Sequence, residues 1–180
     1  MLFSSAQCWA SDRYDDQIHS AWRRYLPTYH PGLGWAQLWQ ESRLDPEAVS
    51  PVGAAGVGQF MPGTWGDMKR QGVVPAGVPA RDARWSIIAS AYYMRQQVNG
   101  WNRSGRSAGD RYDLALSGYN AGRGHLYKAQ RLCDGAMDYQ GIIQCLPQVT
   151  GRHSTETINY VRLIHRHFER RYGLGLWWSE

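Results

Sequence analysis

Apolar residues in this chain recur at helical spacing and nowhere alternate over a useful length, which confines it to helical architectures. Tyr14, Ile18, Ala21, Trp22 and Tyr25 fall on one helical face, with Asp12 placed as N-cap and Asp15 and Asp16 in the first turn. Pro27 and Pro31 close that segment. A second helix is expected over residues 33–41, with Trp35, Leu38 and Trp39 on its buried side. Thr64 is placed as the cap of a short helix ending near Gln71, and Asp82 as the cap of one carrying Trp85, Ile88, Ala89 and Tyr92 to Asn99. A helix over residues 110–120 is broken by Gly122 and Gly124. The last helix starts at Ser154 or Thr155, presents Ile158, Val161, Ile164, Phe168 and Tyr172, and stops at Gly173. The expectation is an all-α fold in a single domain over residues 12–175, with an extension at 1–11 and a tail at 176–180.

Hydrophobic residues make up 43% of the 180, enough for a real core and too many for a disordered tail protein. No apolar run approaches the roughly 18 residues of a membrane span, so no stable membrane insertion is expected. Residues 1–8 lack the charged and apolar regions of a secretory signal. Nine Trp and eleven Tyr can stack on sugar faces, although core packing claims most such rings. The net charge of +5 comes almost wholly from Arg, with Lys69 and Lys128 the only lysines. That surplus suits a polyanionic partner, but no recognition motif for nucleic acid accompanies it. Cys133 and Cys145 flank a short polar stretch and either close a disulfide or stay as two buried thiols; Cys8 is left over. No zinc-ligand spacing occurs, and neither metal nor cofactor is expected.

The chain has five glutamates, and Glu41 directly follows the apolar 35–39 stretch. A carboxyl at the end of an apolar helix, facing a cleft, is partly desolvated, which favours the protonated form a general acid needs. Glu41 opens the run Glu41-Ser42-Arg43-Leu44-Asp45-Pro46, which continues through Gly53-Ala54-Ala55-Gly56-Val57-Gly58-Gln59-Phe60-Met61-Pro62-Gly63-Thr64. Two further blocks follow in order, Tyr119-Asn120-Ala121-Gly122 and Glu156-Thr157-Ile158-Asn159-Tyr160-Val161. Together they resemble the signature of the soluble lytic transglycosylases, a family of lysozyme-like fold. The chain departs from that pattern in having Val57-Gly58 before Gln59, Gly118 before Tyr119, and a long connector over residues 133–152.

The resemblance implies an enzyme of bacterial peptidoglycan that needs no cofactor. Glu41 would be the one acid/base, with Ser42, Gln59, Met61, Tyr119, Asn120, Glu156 and Tyr160 as substrate contacts. It also implies action in the periplasm or cell wall, by a monomer, and the missing signal suits a phage enzyme released through a separate pore or carried in the virion. A hydrolytic muramidase on the same fold is the nearest alternative; Asp45, or an acid around Asp134 and Asp138, would then hold the attacking water. A non-enzymatic envelope-binding protein is a third reading, resting on Arg162, Arg166, Arg170 and Arg171 of the last helix and the Trp177-Trp178 pair. That face allows at most a weak envelope contact if it is merely a solvated helix surface.

Overall fold

Trp22 and Gly34 set the packing of the first part of the fold. The computed structural model describes residues 12–103 and 105–173. Helix α1, Asp15–Tyr25, buries Ile18, Ala21 and Trp22, and its acidic first turn holds Asp15 and Asp16 as expected. Its N-cap is Tyr14, without a side-chain bond, so Asp12 does not cap it. Helix α2, Gly32–Ser42, crosses α1 with Gly34 against the Trp22 indole; a Cβ on Gly34 would lie 2.3 Å from that ring. Only a glycine permits so close an approach. Trp35 and Trp39 stack one turn apart, with ring centroids 5.2 Å apart.

His30 accepts the Gly32 N–H through Nδ1 at 3.1 Å and so satisfies one orphan donor at the start of α2. Partial burial, then the neighbouring His19 and Arg23, pull the His30 imidazole below its ordinary range. Between that lowered value and the unfolded value near ~6.5, the unfolded chain binds more protons, so stability falls as the pH drops through this window. Acidification from about pH 7 to 5 is therefore expected to cost the His30→Asn variant less Tm than the parent, because Asn keeps an acceptor and does not titrate. Equal losses in the two thermal melts would remove His30 from the pH response.

Residues 43–61 form a compact loop rather than a strand or helix. Ala55 and Phe60 exchange both backbone hydrogen bonds at 3.0 Å, and Gly56 N–H donates to Ala48 O at 3.0 Å. Helix α3, Pro62–Arg70, starts with Pro62 in its first turn and Met61 at the N-cap. Proline suits that position because its missing N–H is an orphan there anyway, and this places the start two residues before Thr64. Helix α4, Ala83–Asn99, has Asp82 Oδ1 accepting the Trp85 N–H at 3.1 Å, the cap expected from the sequence. Among the described residues there are isolated bridges, Val49 with Ala55 and Ala55 with Phe60, but no strand.

The chain divides into two compact units, Met1–Tyr92 and Tyr93–Glu180, so the division falls inside α4. The second unit contains α5 (Ala108–Ala121), α6 (Arg123–Leu132), α7 (Tyr139–Ile143), α8 (Leu146–Thr150) and α9 (His153–Tyr172). Ser107 caps α5 by accepting the Asp110 N–H at 3.0 Å. Gly122, at φ 86°, ends α5 and begins α6, so the glycines expected to break the helix turn it straight into another. Asp138 caps α7 through the Gly141 N–H at 2.7 Å. The Cys133 and Cys145 sulfurs are bonded, tying the end of α6 to the start of α8.

Helix α9 begins at His153, one residue before the expected cap; Ser154 instead donates its hydroxyl to Gly151 O at 2.7 Å. Its inner face holds Thr157, Tyr160, Val161, Ile164 and Phe168. His165 Nε2 and Asp113 Oδ1 join α9 to α5 at 2.7 Å. Burial pushes the Asp113 carboxyl up, and the His165 hydrogen bond works against that rise. Gly118 has a packing reason: a Cβ there would meet Gln97 Oε1 at 2.8 Å. Among the described residues no helix is long and apolar enough to cross a membrane, and no cluster of metal-ligating side chains occurs. The segments 1–11 and 176–180, with Cys8 and the Trp177-Trp178 pair, lie outside the described residues.

Candidate active site

Glu41 sits in the last turn of α2 and is half-buried. The backbone behind it turns sharply, with Arg43 at φ 58° and Leu44 at φ 62°. Two successive non-glycine residues in the left-handed region cost roughly 1–2 kcal/mol each. Burial of Leu44, 4% exposed, offsets part of that cost. Arg43 lies over the Trp39 ring, its guanidinium carbon 5.3 Å from the centroid. Strain of this kind clusters at functional positions, and here it begins two residues after the candidate acid.

The neighbouring side chains fasten this turn. Ser42 donates its hydroxyl to Val57 O at 2.9 Å, joining the end of α2 to the glycine-rich loop. Gly58 N–H reaches Ser86 Oγ on α4 at 3.0 Å, in a buried bond. Gln59, at φ 47°, donates its amide to Ala48 O at 3.2 Å and to Gly56 O at 2.9 Å. Both Nε2 hydrogens of Gln59 are thereby used inside the loop, which leaves its Oε1 as the group to offer a ligand. Ser42 and Gln59 act on the shape of the loop that follows Glu41. Met61 is 44% exposed and is no core filler.

Asp45 is exposed, and its Oδ1 accepts the Glu47 N–H at 2.9 Å, the turn expected from the Asp-Pro pair. Glu47 lies 3.6 Å from Arg81, with both side chains mostly exposed. A hollow of about 560 Å³ in the same unit is lined by Asp16, Arg24, Tyr25, Arg84 and Ile88. None of the motif residues borders it, and its size alone does not make it the site.

In the second unit the structure brings Asn120 and Glu156 together. They line a pocket of about 330 Å³ with His125, Thr150, His153 and Thr157. Thr157 donates its hydroxyl to Asn120 Oδ1 at 2.8 Å, which fixes the amide and leaves Asn120 Nδ2 as a donor. Asn120 and Glu156 are exposed. Tyr119 is partly exposed and meets Tyr93 edge to face, with centroids 5.2 Å apart. Tyr160 is only 5% exposed, so its ring belongs to the core of this unit. Sequence reasoning passed over Ser86, His125, His153 and the role of Thr157. Thr157 was within reach, since it directly follows Glu156 in the motif, whereas nothing about Ser86 or the Val57 carbonyl marks them in the sequence.

The family model described as "Transglycosylase SLT domain" matches residues 27–140, a stretch that contains Glu41, Gln59 and Asn120. The chain is 27% identical over 174 residues to a membrane-bound lytic murein transglycosylase F from Shewanella frigidimarina, covering 86% of this chain and 35% of that protein. It is 35% identical over 99 residues to one from Maricaulis maris, covering 55% of this chain and 20% of that protein. The chain thus spans about a third of the length of the Shewanella relatives it matches. Among solved structures, the 70 kDa soluble lytic transglycosylase SLT70 from Escherichia coli superposes with a TM-score of 0.67 at 19% identity, over 94% of this chain and 27% of that one. An inactive mutant of the lytic transglycosylase Slt from Pseudomonas aeruginosa gives 0.65 at 20%, over 97% and 26%. At these identities the superpositions bear on the fold, and they agree with a mainly helical chain.

Proposed function

Because this chain belongs to the transglycosylase SLT domain family, we propose that it cleaves peptidoglycan glycan strands between N-acetylmuramic acid and N-acetylglucosamine, with Glu41 as its acid/base. The observation that carries the reading is the position of Glu41: it is the motif glutamate, half-buried at the end of α2, and the strained turn and the Ser42–Val57 bond fix the backbone beside it. General acid catalysis needs a carboxyl held in place more than it needs a mobile one.

The chemistry runs without a second protein carboxylate. Glu41 donates its proton to the glycosidic oxygen as the bond to the anomeric carbon breaks. The substrate's own acetamido oxygen stabilises that carbon, a route known among glycosidases that lack a nucleophilic carboxylate. The ionised Glu41 then takes the proton of the C6 hydroxyl, whose oxygen closes a 1,6-anhydro ring and releases the acetamido group. Glu41 ends protonated as it began, and no water is consumed. Within the second unit, Asn120 Nδ2 and the Glu156 carboxylate supply a donor and an acceptor of the kind an N-acetylated sugar requires.

Hydrolysis would need a group to hold the attacking water. Asp45 is the nearest downstream acid, and its carboxylate already serves the turn with Glu47. The lyase route is the reading adopted, in keeping with relatives named lytic murein transglycosylases. The direct check is turbidity of a suspension of purified sacculi: the chain is expected to clear it without added metal, and a suspension that stays turbid at every enzyme concentration would end the enzymatic reading.

A further inference from the structure

The Asn120–Glu156 pocket contains a histidine that the proposed chemistry does not use. His125 lies in the first turn of α6 and borders the pocket. Its Nδ1 is 2.7 Å from Ala121 O. A carbonyl oxygen only accepts, so Nδ1 carries the hydrogen and the ring is held in one tautomer. That tautomer leaves Nε2 as an acceptor. The flanking Gly122 and Gly124 put no side chain beside it; a Cβ at Gly124 would meet nothing within 4 Å.

The rest of the lining is also fixed in place. Thr157 orients the Asn120 amide at 2.8 Å so that a donor remains free, and Glu156 offers a second acceptor. A pocket of about 330 Å³ with one fixed donor and two acceptors matches the hydroxyl groups and acetamido group of a single N-acetylhexosamine ring. We propose that His125 is a glycan-contact residue, accepting a sugar hydroxyl through Nε2 and extending the Asn120–Glu156 pocket by one recognition point. The inference rests on the peptidoglycan reading above for its ligand class, while its argument concerns binding and not bond cleavage.

The test separates the two. Binding of glycan strands stripped of their peptide stems is measured by calorimetry on the Glu41→Gln chain, which does not depend on turnover. Adding His125→Ala is expected to weaken binding by about 3- to 10-fold, the span of one neutral hydrogen bond. His125→Gln is expected to recover binding to within about 2-fold, since the Gln Oε1 can sit where Nε2 was and accept the same hydroxyl. A structural role, exerted through the Nδ1–Ala121 O bond, would lower the melting temperature of His125→Ala along with binding, whereas a glycan contact leaves that temperature unchanged. Unchanged binding in His125→Ala, or equal weakness in the Ala and Gln variants, overturns the proposal. Sacculi lysed by the parent chain alongside unchanged His125→Ala binding would sink this inference alone. His125-dependent binding by a parent that lyses nothing would sink the enzymatic reading alone. No binding of the stripped strands at all would overturn this inference, and the sacculus assay would then decide the enzymatic reading by itself.

Discussion

Glu41→Gln is expected to lower glycan cleavage by about 10³-fold or more while leaving the fold and glycan binding in place. One positioned acid or base contributes typically 10²–10⁴-fold, and Glu41 serves in both capacities within a single turnover. Gln matches Glu in volume and retains a carbonyl acceptor, so the half-buried end of α2 is disturbed little. The stability should change by no more than the ~1 kcal/mol typical of a point substitution. The comparison that gives the result meaning is Asp45→Asn. Asn keeps an acceptor for the Glu47 N–H, so the turn survives while the charge is lost. Activity of that variant within a few-fold of the parent would leave Glu41 as the one carboxylate the reaction needs. A loss matching that of Glu41→Gln would instead make Asp45 a partner in water delivery and favour hydrolysis.

The largest stability effect is expected at Gly56, and a series of three glycines isolates its cause. Gly56 has φ +77°, and an added Cβ would lie 1.9 Å from the Ala80 carbonyl oxygen, a backbone atom that cannot rotate away. Gly53 has φ +85° with nothing within 4 Å, and Gly63 has open space and no positive φ. Gly63→Ala, inside α3, should therefore be neutral or stabilising by up to about 1 kcal/mol. Gly53→Ala pays only the left-handed backbone cost of roughly 1–2 kcal/mol. Gly56→Ala pays that cost and an overpacking cost of about 1–3 kcal/mol besides. At about 2–4 °C per kcal/mol for a chain of this size, the last variant should melt about 4–20 °C below the parent. Activity should fall with it, because the Gly56 carbonyl holds the Gln59 amide and the same loop receives the Ser42 hydroxyl. Equal melting temperatures for Gly53→Ala and Gly56→Ala would mean that the Ala80 contact is not tight.

The sequence made long helices legible and short ones invisible, and the reason is periodicity. Helix α9 buries residues at 154, 157, 160, 161, 164 and 168, a repeat long enough to recognise. Helix α6 buries only Leu126 and Ala129, and α7 and α8 have five residues each, too few for any repeat to register. Gly122 and Gly124 read as the end of a helix; Gly122 does end one, but a new helix starts at the next residue. Helix starts were misplaced where a capping residue stood near the true one. Thr64 lost to Pro62, whose fixed φ and missing N–H suit the first turn, and Asp12 lies outside the regular turn that begins at Asp15.

For the candidate site, residue types were readable and partners were not. Glu41 could be singled out because an apolar helix leads into it and a motif follows. That Ser42 spends its hydroxyl on Val57 O, and Gln59 its amide on Ala48 and Gly56, could not be read, because backbone carbonyls carry no sequence signal. The left-handed Arg43 and Leu44 were equally hidden, since neither residue type advertises that conformation. The division into two compact units inside α4 was likewise not readable, because it depends on contacts distant in sequence.

The central claim is that Glu41 closes a 1,6-anhydro ring instead of activating water, and mass spectrometry of the soluble muropeptides released from purified peptidoglycan tests it most directly. The account predicts products ending in 1,6-anhydro-N-acetylmuramic acid, absent when Glu41→Gln replaces the parent chain. Products ending in reducing N-acetylmuramic acid, heavier by one water, would contradict it.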